Sequence, residues 1–456
     1  MKRLDSTHCM RRAALALVLL AGVGASHVAI AAGTDLLALT RDALLNDPTY
    51  ASARFLQQAI TEQVPQARAG LLPNLSAGLG ESATRVDFRS DNTGFEPDII
   101  KTFNSWGPSL NLNMPVYSAP LWDSLDESKM VVRQSESQLA QARTDLIVRV
   151  AQAYFDLLAS QDALTALREN KKAVSEQLAQ AKREFEVGTK TIVDTHEAKA
   201  RFDQIDAQEQ VARGDLAVKQ SALQAIIGRE PGEIQGLRDS IALSPPQPND
   251  IETWAHRAED SNYSVQAAHA ASDIARFETK KARDAYLPQV NITGSMQYTR
   301  SDNGSLNIPV NNNVTQSTLG IQLTIPLYTG GAIQSRVREG HAREGKADQD
   351  LEFARRTAAQ SARQAYTGVD YGMAQVQALE SAQVSAKTQV DSTRLGYQVG
   401  FRINLDVLNA DTQLFNTERD LKKARYDFLV NGLKLKAAAG ALTDDDVLVV
   451  NNLLLH

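Results

Sequence analysis

Hydrophobic and polar residues alternate with period two in four short segments of this chain and follow a helical period through most of the remainder. Before Pro115, the residues Leu110, Leu112, Met114 and Val116 fall on one face, with Ser109, Asn111, Asn113 and Pro115 on the other. Leu319, Ile321, Leu323 and Ile325 oppose Gly320, Gln322 and Thr324 in the same way, and Val290, Ile292 and Met296 oppose Asn291, Thr293, Ser295 and Gln297. A fourth, glycine-rich segment begins at Leu75. Alternation of this kind predicts half-buried strands, here over residues 74–88, 102–117, 289–302 and 313–328. Polar stretches, Ser90 to Lys101 and Ser301 to Asn313, separate the strands of each pair as exposed loops.

The helical segments are far longer. No proline occurs between Pro120 and Pro231 or after Pro326. Leu139, Ala142, Leu146, Val150, Ala153, Leu157, Leu164 and Leu167 step mainly by three and four, which predicts a coiled-coil seam. The first helix should run from about Leu121 to Val187, roughly 100 Å at 1.5 Å per residue. Gly188 then supplies a turn and a return helix reaches Ile227-Gly228. A second hairpin runs from about Ala332 to Val399, turns at Gly400 and returns to about Gly440. Shorter helical pieces, Asp35 to Ala69 and Asp250 to Ala285, precede the two strand pairs, with breaks at Asp47-Pro48 and at Ser261-Asn262.

These elements recur in one order about 212 residues apart. Leu72-Pro73-Asn74 returns as Leu287-Pro288-Gln289, Ala153-Tyr154 as Ala365-Tyr366, and Val187-Gly188 with Asp194 as Val399-Gly400 with Asp406. An ordered series of matches means duplication of one structural unit. The units cover residues 32–240 (hairpin 121–228) and 250–440 (hairpin 332–440), joined by a proline-rich connector, 241–249. A tail, 441–456, is expected to pack on the helix shaft.

The N-terminus changes the setting. Lys2, Arg3, Arg11 and Arg12, the apolar run Ala13 to Val23 and the small residues Ala29-Ile30-Ala31 read as an export signal over residues 1–31. Cys9, the single cysteine, lies inside that signal, so no disulfide and no lipid-attachment cysteine is expected in the mature chain. The net charge of −6 falls to about −9 after cleavage, which argues against nucleic acid as a partner. No spacing of histidines or acids suggests a metal site, and no nucleophile elbow or phosphate-cradling loop is present. No cofactor and no enzymatic activity is expected.

In an exported protein, strands with one apolar and one wet face suit a transmembrane barrel. Four strands cannot close one, since the smallest single-chain barrels have about eight, and open edges in lipid leave backbone groups unpaired. Several chains must therefore contribute; two would give eight strands and three would give twelve. The proline-framed strand pairs, the twin Val-Gly turns and the segment Tyr397-Gln398-Val399-Gly400-Phe401-Arg402-Ile403-Asn404-Leu405-Asp406-Val407-Leu408-Asn409 resemble the TolC family of outer-membrane channel-tunnels over essentially the whole mature chain. The resemblance implies a mixed α and β membrane protein. It would be a homotrimer, with a 12-stranded barrel in the outer membrane of a Gram-negative bacterium continued by a 12-helix tunnel through the periplasm. It implies a passive exit duct for efflux or type I protein secretion. The expected partners are a periplasmic membrane-fusion adaptor, which would dock near Gly188 and Gly400, and an inner-membrane ABC or proton-driven transporter. It further implies a periplasmic gate of Asp194, Tyr397 and Arg402, and a tunnel-entrance ring at Asp406 and Asn409. Two departures matter. Val193 stands where the family carries a threonine, removing one side-chain link, and Asn409 stands where close members carry a second aspartate. The ring should then hold three carboxylates instead of six. A reading of a different class, a trimeric adhesive stalk anchored by a barrel, shares the strands and coiled coils. It does not account for glycine turns that bring each helix back.

Overall fold

The computed structural model describes residues 35–88, 99–189, 191–238, 243–304 and 310–455. The export signal read over residues 1–31 lies outside them, as do residues 90–98 and 305–309 of the inter-strand segments and the first two residues of the connector. In chain order the elements are α1 (Leu36–Asn46), α2 (Pro48–Thr61), α3 (Gln63–Ala69), β1 (Asn74–Phe88), β2 (Ile99–Tyr117), α4 (Ala119–Glu186) and α5 (Ile192–Ile227). They continue with α6 (Ile251–Ser261), α7 (Tyr263–Asp284), β3 (Gln289–Asp302), β4 (Asn312–Thr324), α8 (Ala332–Gln398), α9 (Asn404–Ala438) and α10 (Asp444–Asn451). The leading helical segment has one break more than the periodicity suggests, at Glu62. Pro65 has no N–H to offer the last turn of α2. β4 ends at Thr324 instead of continuing toward Tyr328, because Pro326 cannot donate to the ladder.

The four strands form one antiparallel sheet in the order β1-β2-β3-β4. Its register joins the apolar faces of all four. Leu75 lies opposite Leu112, Leu112 opposite Gly294 and Gly294 opposite Leu319, while Met114, Ile292 and Ile321 make the adjoining row. The other face carries Ser76, Asn111, Ser295 and Thr318 in one such row. Because side chains alternate strictly, a one-residue slip would place these leucines on the wet face. Leu79, Leu319 and Ile321 are each 76% exposed.

Below the sheet the helices stand in four columns, in the same order as the strands. Helix α5 packs on α4, α4 on α9, and α9 on α8. Two columns are spliced from separate helices. The Asn46 amide at the end of α1 donates to the Ile227 carbonyl that ends α5 (3.1 Å), and the Asn262 amide donates to the Ala438 carbonyl of α9 (2.8 Å). An orphan last-turn carbonyl at each splice thus receives a donor. The columns are therefore α5 with α1–α3 and β1; α4 with β2; α9 with α6, α7 and β3; and α8 with β4.

The main core sits midway along the shaft. Leu146, Val150, Tyr154 and Leu157 of α4 meet Leu36 and Leu39 of α1, Leu223 and Ile227 of α5, and Leu433 and Leu435 of α9. Each leucine buried here contributes about 1.5–3 kcal/mol. The Tyr154 hydroxyl donates to the Gln235 carbonyl (2.7 Å). Val447 of α10 and Leu454 close this core, and Leu455 N–H donates to the Gly236 carbonyl, tying the tail to the segment after the first hairpin.

Candidate functional site at the hairpin tips

Each hairpin turns in the same way. At the first tip Thr189 N–H donates to the Glu184 carbonyl (2.9 Å) and Gly188 N–H to the Phe185 carbonyl (3.0 Å); at the second, Phe401 N–H donates to Gly396 and Gly400 N–H to Tyr397. This is the Schellman pattern, which satisfies the last carbonyls of α4 and α8 and needs a left-handed residue. Gly188 has φ 78° and Gly400 φ 83°. The return helices also start alike. Asp194 accepts from the Thr191 N–H (3.1 Å) and hydroxyl (2.8 Å), and Asp406 accepts from the Ile403 N–H (3.4 Å). Both carboxylates face the positive end of a helix dipole.

The residues singled out from the sequence fall into two groups. Arg402, Asp406 and Asn409 line one open cleft between α8 and α9, with Gln389 and Gln413 beside them. The Arg402 guanidinium lies 3.7 Å from Asp406, a long and exposed ion pair. Tyr397 turns toward the first hairpin, where its hydroxyl donates to the Glu184 carboxylate (2.8 Å). Burial, this hydrogen bond and the charges of Glu184 and Asp194 together push the Tyr397 phenol well above its ordinary value, so it stays a donor. Asp194 thus lies close enough to act on Tyr397 electrostatically, while its own oxygen caps α5.

One cluster escaped the sequence reading. Asp411 on α9 is 1% exposed and accepts from Arg394 of α8 (2.9 Å) and from the Gln177 amide of α4 (2.9 Å). Burial raises its carboxyl, and Arg394 and Gln177 pull it back. Next to it Arg201 of α5 donates to the Thr412 hydroxyl (2.7 Å). The available signal was a charge on the inward stripe, for Asn404, Leu408 and Asp411 share one helix face and all three are buried. Among the described residues no group of histidines, cysteines and acids is arranged to hold a metal ion.

A sheet with a continuous apolar face, set on two helical hairpins about 100 Å long whose tips carry exchangeable polar bonds, is one wall of an outer-membrane channel-tunnel. The family "Outer membrane efflux protein" matches residues 39–229 and 254–441, one block for each repeat. The chain belongs to this family, that of TolC. It is 32% identical over 406 residues to the outer membrane protein TolC of Vibrio cholerae serotype O1, covering 89% of this chain and 90% of that one. It is 30% identical over 412 residues to the alkaline protease secretion protein AprF of Pseudomonas aeruginosa, covering 90% and 85%. The CmeC outer membrane channel of Campylobacter jejuni has the same fold, with a TM-score of 0.77 at 17% identity over 91% of this chain and 89% of that one.

Proposed function

We propose that three copies of this chain, each contributing one four-column wall, close into the working duct. The protein is an outer-membrane exit duct for efflux or type I secretion, with its helical part in the periplasm. The observation that carries the assembly is the alignment of open edges. β1 and β4 end the sheet, and α5 and α8 end the row of helices below them. Large apolar side chains stand exposed on these same edge helices: Phe55 on α2, Val218 on α5, and Phe353, Tyr371 and Val384 on α8. A neighbouring copy would cover them and pair the strand edges, which lipid cannot leave open. Two copies would close eight strands, whose interior side chains fill. Twelve strands leave a water-filled passage, so a duct requires three.

In this assembly the tip is the gate. Tyr397 holds the second hairpin against the first within one chain. Arg402, bound weakly to Asp406, faces the cleft in which α5 of the next copy would seat, bringing Asp194 of that copy within reach. Exposed pairs of this kind contribute about 0–1 kcal/mol each, so a docking adaptor can exchange them. The adaptor would grip the turns at Gly188 and Gly400, and the inner-membrane transporter, ABC or proton-driven, would select the cargo. The test is single-channel conductance in a planar bilayer. A small conductance that rises several-fold in a Tyr397→Phe, Arg402→Ser double variant is expected. Equal, large conductance in both would remove the gate while keeping the pore, and no conductance from a folded trimer would overturn the duct.

A further inference from the structure

Three helices leave an open groove of about 670 Å³ between the main core and the hairpin tips. Its floor is α4, and its sides are α5 of the same hairpin and α9 of the other. Most of the lining is apolar. Leu167 on α4, Val211 on α5 and Phe415 on α9 stand among the small side chains of Ala163, Ala166 and Ala212, which leave the groove its depth. Val211 is 74% exposed.

Two polar side chains at the end of the groove nearer the tips have bonding capacity to spare. Asn170 is 4% exposed, and its Oδ1 has no partner among the described residues. Arg201 donates to the Thr412 hydroxyl (2.7 Å) and to Gln204 (2.9 Å), while its buried Nε has no acceptor among them. A buried donor or acceptor left unpaired carries its full desolvation penalty, so the groove favours a ligand that brings one of each. Water would serve these two groups but not the apolar side chains beside them. At the other end Arg419 is held by Asp420 (2.8 Å), and Asp215 offsets Arg201, so the groove offers little net charge to an ion.

On the trimeric reading above, this groove opens toward the passage. Residues 234–238 and the tail lie over the opposite side of α4 and α9, where Gly236 and Leu455 line a separate cleft with Asp162 and Tyr426. On α9, Asn416 of the groove falls two turns beyond Asn409 of the tunnel-entrance pair, on the same face. We propose that the groove is a transit site for polypeptide cargo, gripping an extended segment as it passes through the duct. An extended peptide presents a carbonyl and an N–H at each residue, about 3.3 Å apart. One carbonyl accepts from Arg201 Nε, a nearby N–H donates to Asn170 Oδ1, and an apolar side chain packs against Phe415 and Val211. From Ala163 to Asn170 the floor spans roughly 10 Å, the length of about three extended residues, so each grip is short and releases readily. The inference rests on the duct reading and adds the class of cargo that its wall engages, and where.

The test uses the purified protein in lipid nanodiscs and a capped, fluorescent hexapeptide of alternating leucine and serine. Fluorescence anisotropy should show saturable binding. Val211→Asp, which puts a charge at an exposed position of the groove, and Asn170→Leu should each weaken it by about fivefold or more. A peptide N-methylated at every amide and an all-serine peptide should lose binding to a similar extent. In the Tyr397→Phe, Arg402→Ser background in a planar bilayer, the leucine-serine peptide should cause current blockades, which Val211→Asp shortens by a similar factor. Equal binding to wild type and both groove variants, or equal binding of the N-methylated peptide, overturns the inference. So does binding without blockade, since the groove would then face away from the passage. Binding of decanoate at the groove with none of the peptide would mark a site for small amphiphiles and overturn it as well. Absence of peptide binding beside an ordinary conductance removes the transit site and leaves the duct intact. A folded protein that never conducts sinks the duct, and the transit role with it.

Discussion

The shaft carries few residues whose charge is fully withdrawn from water, and Glu209 is one of them. Only 2% exposed, it lies on α5 between Lys171 (2.8 Å), Arg213 (2.5 Å) and Arg168 (3.4 Å). The hydrogen bond from Lys171 is the largest influence on its carboxyl; burial opposes it and Arg213 adds to it, holding the group down at about 2 against an ordinary value of 4.5. A carboxyl whose native value is depressed adds stability above its unfolded value, and that stability is lost as the pH falls through the native one. The stabilisation from Glu209 should therefore be complete above about pH 5 and disappear as the pH approaches 2. Thermal unfolding of wild type beside Glu209→Gln measures it. The gap between their melting temperatures should be constant near neutrality and shrink below pH 4.5, the ordinary value. A gap of the same size at pH 3 and pH 7 would show that Glu209 acts through packing and not through charge.

At the scale of elements, the hairpins depend on two glycines in a way that separates backbone from side-chain effects. A Cβ added at Gly188 or Gly400 would meet nothing within 4 Å, so alanine there clashes with no neighbour. The cost is conformational alone, about 1–2 kcal/mol for an L-residue held left-handed. Gly400→Ala should leave global melting nearly unchanged and loosen only the tip. Exchange of the Phe401 and Gly400 amides, which close the turn, should speed up by about 5–30-fold. Unchanged exchange would mean that the turn is held by something other than its backbone geometry. The turns were legible because glycine is the default residue for a positive φ, and the sheet because period two survives in Leu110, Leu112 and Met114. Strand ends were less legible. At Pro326 the alternation of side chains continues through Ile325 and Leu327, but the ladder stops where the N–H is missing. Asp411 was hidden for a related reason. A heptad pattern tells which face turns inward, but it does not name the cation and the amide that make an inward acid tolerable, because these come from α8 and from α4, 17 and 234 residues away.

At the scale of the whole molecule, a ring at the tunnel mouth of the proposed trimer would sum what each copy contributes, and each would contribute less charge than the sequence pattern alone suggests. Asp406 and Asn409 line the same cleft as Arg402, and the guanidinium 3.7 Å from Asp406 offsets part of its charge. With the N–H of Ile403 also directed at it, the carboxylate is turned toward its own helix. Three partly neutralised carboxylates around a trimeric mouth should give weak cation preference, because selectivity in a charged ring follows the number and strength of its charges. Two substitutions raise that field by different routes. Asn409→Asp adds one carboxylate per copy, and Arg402→Ser removes the cation that masks the existing one. Reversal potentials in a salt gradient should shift toward the cation value in either variant and furthest in the double variant, with trivalent cations blocking more strongly in the same order. The two effects are separable, since Arg402→Ser should also raise conductance by weakening the gate, whereas Asn409→Asp should change selectivity at nearly constant conductance. If Asn409→Asp shifts conductance and leaves the reversal potential where it was, residue 409 faces a helix partner and not the passage. The ring would then have to be redrawn around Asp406 alone.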